Sequence, residues 1–137
     1  MSKPEFRWRL RVFYEDTDAG GVVYYANYLK FMERARTEWL RSLGFEQAKL
    51  RDELGLLFAV RAVDVQYRSP ARLDDVLEVT ATMDKAGGAS LVFVQQVRRE
   101  NAVLCEGIVK IACLDEASFK PRPLPHVLQE ALSKGTE

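Results

Sequence analysis

The chain has 137 residues, which is enough for one domain with a buried core, and we predict a single domain over residues 1–137. Its 20 Lys and Arg residues balance its 20 Asp and Glu residues, so the overall charge excludes a protein that coats nucleic acid. The first residues scatter basic side chains among single apolar ones, and no apolar run approaches the ~20 residues that cross a bilayer. The sequence therefore predicts no signal peptide, no membrane insertion and a cytoplasmic location.

The first predicted elements are a strand and a long helix, joined by an acidic loop that contains glycines. Apolar and basic residues alternate over residues 7–14, which is the pattern of a half-buried strand. Over residues 28–43, apolar side chains recur at steps of three and four, which predicts an amphipathic helix of about four turns that ends at Gly44. A shorter helix is predicted over residues 46–54. The predicted buried stripe of the long helix consists of Tyr28, Leu29, Met32, Ala35, Trp39, Leu40 and Leu43.

The second half of the chain carries the pattern of strands. Strands are predicted over residues 57–68, 76–85, 89–100 and 103–114, with short turn segments between them. Because these connections are short, we expect consecutive strands to pair antiparallel. A proline-rich tail follows, with a last short helix over residues 127–132. Together the elements predict an α+β fold, in which a five-stranded antiparallel sheet curls around the long helix so that each buries the other.

The loop between the first strand and the long helix is the segment most suited to carry chemistry. Asp18 lies there beside two glycines and shortly before the helix, whose N-terminal backbone N–H groups attract negative charge. A carboxylate next to such donors could bind and attack a polarised carbonyl group. Asp16 lies nearer the end of the strand, and we interpret it as a turn-capping residue.

Other kinds of site fit this sequence poorly. A calcium loop would need a ligand at its fifth position and a bidentate Glu at its twelfth, where the chain has Gly20 and Asn27. A phosphatase with an aspartyl nucleophile would have threonine at Gly20 and would alternate strands with helices. The only histidine, His126, lies in the proline-rich tail, so we expect it to face solvent and predict no Ser-His-Asp site.

The two cysteines are predicted to be structural. Cys105 and Cys113 are eight residues apart on one predicted strand, hence about 26 Å apart at ~3.3 Å per residue. That separation is too long for a disulfide between them within the strand. We therefore expect two small buried residues in a reducing compartment.

Six segments of the chain read as motifs: YEDTDAGGVVY (14–24), ANY (26–28), ERARTE (33–38), PARLDD (70–75), SLVF (90–93) and KPRPLP (120–125). Together they resemble one family of enzymes, the hotdog-fold acyl-CoA thioesterases of the 4-hydroxybenzoyl-CoA thioesterase type, especially the YbgC-like, Tol-Pal-associated members. The first segment is long and therefore specific, and the later ones support it.

This resemblance implies a catalytic role for Asp18, either as a nucleophile that forms a mixed anhydride or as a general base that activates water. It also implies a role for Tyr25, whose backbone N–H would polarise the thioester carbonyl. YbgC-like members usually carry His at this position, whereas the 4-hydroxybenzoyl-CoA branch has Tyr. A mechanism that needs a histidine near the helix start is therefore not expected, and the Tyr25 side chain either packs on the acyl group or fills a subunit interface.

The resemblance further implies an acyl-CoA or acyl-carrier thioester as substrate, no metal and no cofactor apart from the CoA of the substrate. It implies a homodimer or homotetramer with each active site at a subunit interface. CoA needs partners for its phosphates, and the candidates are Lys85, Ser90, Lys120 and Arg122.

Two alternative functions are compatible with the same fold. One is a non-enzymatic module that binds acyl groups or a protein partner through the same groove. The other is a dehydratase, which is disfavoured because its usual catalytic histidine has no counterpart in this chain. The sequence leaves open the acyl-chain preference, the choice between CoA and acyl carrier protein, and the choice between dimer and tetramer.

Overall fold

The computed structural model describes residues 4–135, so both predicted domain limits, residues 1 and 137, lie outside the described part of the chain. The strands are β1 (Phe6–Arg11), β2 (Leu56–Tyr67), β3 (Val76–Gly87), β4 (Ser90–Arg99) and β5 (Ala102–Asp115). The helices are α1 (Asn27–Ser42), α2 (Gln47–Leu54) and α3 (His126–Gly135). The first strand ends earlier than predicted, because the chain enters a turn of 3₁₀ helix at Tyr14–Asp16.

All five strands pair antiparallel in one sheet with the order β1-β3-β4-β5-β2, which confirms the predicted α+β fold class. The expectation that consecutive strands pair is wrong for β2 and β3. β2 pairs with β5 at one edge, whereas β3 lies between β1 and β4. The connection over residues 68–75 does not form a hairpin because its middle is fastened elsewhere: Ala71 is buried, and its carbonyl accepts a hydrogen bond from Val23 N–H at 2.8 Å.

The long helix α1 packs on one face of the sheet, against β3, β1 and β4. The predicted stripe is wrong at Leu29, which is 37% exposed, and it missed Phe31, which is 1% exposed. Leu29 lies about 100° around the helix from Tyr28, on a side that is exposed in the first turn of α1. Leu40 lies on nearly the same side three turns later, but there it is buried in a cluster with Leu50 of α2 and Leu128 of α3. The buried residues of α1 are Tyr28, Phe31, Met32, Ala35 and Leu40.

No helix within residues 4–135 is long and apolar enough to cross a membrane.

The two edges of the sheet differ in length and chemistry. The edge strand β1 has six residues, three of which are exposed arginines, and charged residues of this kind discourage pairing with another strand. The opposite edge strand, β2, has 12 residues, and Val60, Val63 and Tyr67 are 51%, 41% and 48% exposed. A long edge with exposed apolar side chains is a surface suited to pair with a second chain.

Both cysteines are buried and unbridged, as predicted: Cys105 is 0% exposed and Cys113 is 1% exposed. Burial raises the pKa of Cys105 to about 12 and that of Cys113 to about 11. Both thiols are therefore protonated near neutral pH, where a thiolate would be needed for nucleophilic attack.

Candidate active site

Asp18 lies on a small, tightly hydrogen-bonded turn. Its N–H donates to the Val22 carbonyl at 2.9 Å, and the Gly21 N–H donates to the Asp18 carbonyl at 3.0 Å. Gly21 has a φ of +78°, a conformation that favours glycine. The Asp18 side chain is exposed, and its Oδ1 accepts a hydrogen bond from the Gly20 N–H at 2.8 Å. Among the hydrogen bonds of residues 4–135, none engages Oδ2, and because the side chain is exposed this oxygen is accessible to a substrate.

Asp16 holds the same loop in place, as its interpretation as a turn cap predicts. Its Oδ2 accepts a hydrogen bond from the Phe13 N–H at 2.8 Å, which caps the 3₁₀ turn. Its carbonyl accepts hydrogen bonds from Asn27 Nδ2 at 2.9 Å and from the Tyr24 N–H at 3.0 Å. These contacts tie the acidic loop to the start of α1, so local geometry keeps Asp18 close to the helix N-terminus.

The N-terminus of α1 has open hydrogen-bond donors. The N-cap is Ala26, whose side chain cannot accept a hydrogen bond. The N–H groups of residues 27–29 each donate to the carbonyl three residues earlier. In the described part of the chain, the N–H groups of Tyr25 and Ala26 have no such acceptor. The positive end of the helix dipole therefore presents two free donors beside the Asp18 loop, an arrangement suited to stabilising an oxyanion.

A tyrosine-lined groove of about 250 Å³ adjoins the helix start. The rings of Tyr25 and Tyr67 meet edge to face with centroids 6.1 Å apart, and those of Tyr28 and Tyr67 are 5.6 Å apart. Partial burial raises the pKa of Tyr28 and of Tyr67, so both phenols are neutral near pH 7. Tyr67 was not among the residues predicted for the site, although it lies near the end of a predicted strand. The groove is lined by Val23, Tyr25, Tyr28, Tyr67, Arg68, Ser69 and Pro70.

The four predicted CoA-binding residues gather at one end of the sheet. Lys85 and Ser90 flank the turn between β3 and β4, and the Ser90 hydroxyl donates to a carbonyl of that turn at 3.3 Å. Lys120 and Arg122 lie in the segment after β5, and Lys120 is exposed. Arg122 is already engaged within the chain, since its Nη1 donates to the Gly55 carbonyl at 3.3 Å.

Asp18 lies at the opposite end of the sheet. A bridge between Val22 and Arg72 ties its loop to the segment just before β3 begins at Val76. Lys85 is nine residues farther along that strand, which places it roughly 30 Å from Val76 at ~3.3 Å per residue. A single chain therefore does not bring the predicted catalytic and CoA-binding residues together, and two copies are needed if they share a site.

The remaining candidates do not reach the Asp18 loop. His126 is at the start of α3, with a side chain that is 84% exposed and an Nε2 that lies 3.0 Å from Glu130 Oε1. Within residues 4–135, no group of three or more His, Cys, Asp or Glu side chains is arranged to hold a metal ion. The groups that the structure places at the helix start include the Asp18 carboxylate, backbone N–H groups and the neutral phenols of Tyr28 and Tyr67.

Comparison with known proteins gives consistent matches. Residues 20–106 match the family model described as the thioesterase superfamily. The chain is 51% identical over 126 residues to the acyl-CoA thioester hydrolase YbgC of Escherichia coli O6:H1, covering 91% of this chain and 93% of that protein. It is 44% identical over 126 residues to the acyl-CoA thioesterase YbgC of Haemophilus influenzae, covering 92% and 93%. A solved structure of a probable thioesterase from Bartonella henselae has a TM-score of 0.85 and 34% identity, covering 89% of this chain and 100% of that one.

These matches confirm what the sequence motifs implied about the family. The family model covers more than half of the 137 residues, and the relatives align over nearly the whole chain. The antiparallel sheet with its single long helix is the hotdog fold that the resemblance predicted. By sequence and by architecture, this chain belongs to the thioesterase superfamily.

Proposed function

We propose that this protein is an acyl-CoA thioesterase, which hydrolyses an acyl-CoA thioester to a carboxylic acid and free CoA. The observation that carries the proposal is the pairing of the exposed Asp18 carboxylate with the two free N–H groups of Tyr25 and Ala26. The acyl-CoA thioesterases among its relatives suggest the substrate class. CoA enters as part of the substrate, and we propose that the reaction needs no metal and no further cofactor.

The chemistry follows from where charge develops during thioester hydrolysis. The carbonyl oxygen becomes an oxyanion in the transition state, and the donors of Tyr25 and Ala26 can stabilise it more strongly than they stabilise the uncharged carbonyl. A helix N-terminus adds the favourable field of its dipole. Thiolate is a good leaving group, so the reaction can proceed without a histidine to protonate it.

Asp18 can act by either of two routes. As a general base, it takes a proton from water while the water oxygen attacks the carbonyl carbon and the C–S bond breaks. As a nucleophile, its Oδ2 attacks the carbonyl carbon and expels the thiolate, and water then hydrolyses the mixed anhydride to regenerate the carboxylate. Both routes consume one water and yield one acid and one thiol.

The tyrosine-lined groove is the proposed acyl site. It opens beside the helix start, and its aromatic walls offer apolar surface to an acyl group whose carbonyl lies at the donors. Tyr25 is 60% exposed, and its ring rests against that of Tyr67. We therefore assign its side chain to packing on the acyl group and its backbone N–H to the oxyanion.

We also propose that the working unit is a homodimer formed through β2. Support comes from the long, apolar edge of this strand and from the distance between the Asp18 loop and the predicted CoA-binding residues. A two-fold axis that pairs two β2 edges antiparallel turns one copy end over end relative to the other. The Lys85 end of one subunit then approaches the Asp18 end of its partner. The cytoplasmic location stays a prediction from the sequence.

The test is thiol release by the purified protein, in the presence of a chelator, from short aliphatic, long aliphatic and aromatic acyl-CoAs. We expect turnover of at least one class, unchanged by the chelator, and the class with the highest kcat/KM identifies the acyl preference. Acyl carrier protein thioesters are tested in parallel. Release of thiol from none of these esters would contradict the proposal and favour a non-enzymatic acyl-binding module.

A further inference from the structure

Arg36 of α1 carries a charge in a place poor in water. Its Nη1 donates to Gln95 Oε1 at 2.9 Å, and this is the one hydrogen bond of the guanidinium among the side chains of the described residues. Burial lowers the pKa of Arg36, while the nearby charge of Glu33 opposes that effect. A desolvated cation held only by a neutral amide is costly. The surroundings of Arg36 therefore favour an added anion.

Gln95 holds Arg36 in one orientation. This side chain is 0% exposed, and its Nε2 donates to the Met32 carbonyl at 3.0 Å and to the Thr80 carbonyl at 3.1 Å. These bonds leave its Oε1 to accept from Arg36, so every polar atom of the amide is engaged. The guanidinium is consequently pre-organised at the rim of a pocket of about 240 Å³. The pocket is lined by Glu33, Arg36, Gln47, Phe58, Val60 and Ile111.

Glu33 lies on the same flank of α1 and does not satisfy Arg36 within the chain. The two residues are three positions apart, so their side chains are neighbours on the helix surface. Glu33 is nevertheless exposed, and it makes no ion pair within 4.0 Å among residues 4–135. This flank meets the uncovered face of β2 at Val60. It thus combines an acid, a base and an apolar strip in one patch, and such a patch is complementary to itself under a two-fold rotation.

We propose that a second copy of this chain covers the flank, and that Glu33 of each subunit pairs with Arg36 of the partner subunit across a two-fold axis. The inference rests on the homodimer of the proposed function and adds the residues that select its register. Two reciprocal pairs form in each dimer, next to the apolar contact of the β2 edges. Because Gln95 holds the guanidinium in place, only a register that brings the partner's Glu33 to this position satisfies both charges.

The test reverses each charge and then mixes the two variants. In homodimers of Glu33→Arg, each new arginine faces Arg36 of the partner subunit, and in homodimers of Arg36→Glu two glutamates meet. We expect each variant alone to have a dimer Kd at least about 100-fold above that of the wild type, because at least about tenfold is lost at each of two pairs. An equal mixture restores both pairs, so heterodimers should form with a Kd within about tenfold of the wild type. Sedimentation velocity and native mass spectrometry measure both outcomes.

Glu130→Arg is the matched control, since Glu130 is an exposed acid on α3 and should leave the dimer Kd unchanged. Failure of the mixture to form heterodimers would overturn the inference. If Arg36→Glu does not fold, as judged by circular dichroism, Glu33→Arg alone decides, and a dimer Kd less than threefold above that of the wild type overturns it. A monomeric wild type would overturn the inference and the proposed assembly together. Thiol release by the wild type is measured separately, so the hydrolase proposal can fail or hold independently.

Discussion

Asp18→Asn is the change that tests the proposed site most directly. The asparagine Oδ1 can accept the same hydrogen bond from the Gly20 N–H, which is 2.8 Å long in the native turn. The unengaged Oδ2 becomes an amide nitrogen, which can neither attack a carbonyl nor take a proton from water. The substitution therefore removes the chemistry and keeps the turn.

The expected loss of kcat is about 10²- to 10⁴-fold, the usual contribution of a positioned acid–base group. That loss corresponds to about 3 to 5 kcal/mol of transition-state stabilisation. The free energy of unfolding should change by less than about 0.5 kcal/mol, because the side chain is exposed and its one hydrogen bond is retained. Thiol release at saturating acyl-CoA gives kcat, and urea denaturation followed by circular dichroism gives the stability.

Asp16→Ala is the matched comparison within the same loop. It removes the hydrogen bond from the Phe13 N–H, so it should cost about 1 kcal/mol of stability and reduce kcat far less than Asp18→Asn does. An Asp18→Asn enzyme that keeps more than about one tenth of the native kcat would refute the assignment. So would an Asp16→Ala enzyme with the larger loss of activity, since the catalytic carboxylate would then be misassigned.

Three further changes test the CoA contacts, the loop geometry and the buried thiols. Combined Lys85→Ala and Arg122→Ala should raise KM for acyl-CoAs more than KM for short thioesters that lack the nucleotide, and equal effects on both would show that these residues do not hold phosphate. Gly20→Ala places a methyl carbon 3.2 Å from Asp18 Oδ1, so the carboxylate must shift and kcat should fall about tenfold or more. Gly21→Ala is the control: it brings no atom near Asp18, so it should act mainly on stability through its positive φ. The two cysteine thiols have folded pKa values of about 12 and about 11 against 9.0 when unperturbed, so unfolded thiols lose their protons first as the pH rises. The contribution of the two thiols to the free energy of unfolding is therefore complete below pH 9 and falls between pH 9 and about 12. Urea denaturation across this range should show the decline. Replacing both cysteines by alanine should make the decline smaller.

Local patterns were sufficient to predict the elements of the fold. The three- and four-residue spacing of apolar side chains located α1, and the segments between turn residues located the strands to within a few positions. The same patterns mispaired β2 with β3, because pairing depends on where the connection is anchored. The hydrogen bond between Val23 and Ala71 joins segments far apart in sequence, and no short-range pattern contains it.

Part of the candidate site could likewise be predicted from the sequence, and part could not. Asp18 and the start of α1 are close in sequence, so the motif around them indicated the candidate catalytic loop without a structure. Tyr67 joins Tyr25 and Tyr28 only because the end of β2 passes beside the helix start. Likewise, the residue types at Lys85 and Arg122 suggested phosphate binding, yet their distance from Asp18 depends on the strands that lead to them, β3 for Lys85 and β5 for Arg122.

The sequence by itself determined the helix, the strands, the family and the acidic loop, because each of these depends on residue order within a short stretch or on a contiguous motif. Only the tertiary structure decided which strand lies at the open edge and which side chains line the groove. It also decided that Gln95 presents Arg36 beside Glu33, which has no ion pair among residues 4–135, because the contacts of Gln95 join α1 to a strand more than 50 residues away along the chain. Burial supplies the reason: covering α1 selects one arrangement of the strands, and that arrangement determines which polar groups lack a partner inside the chain.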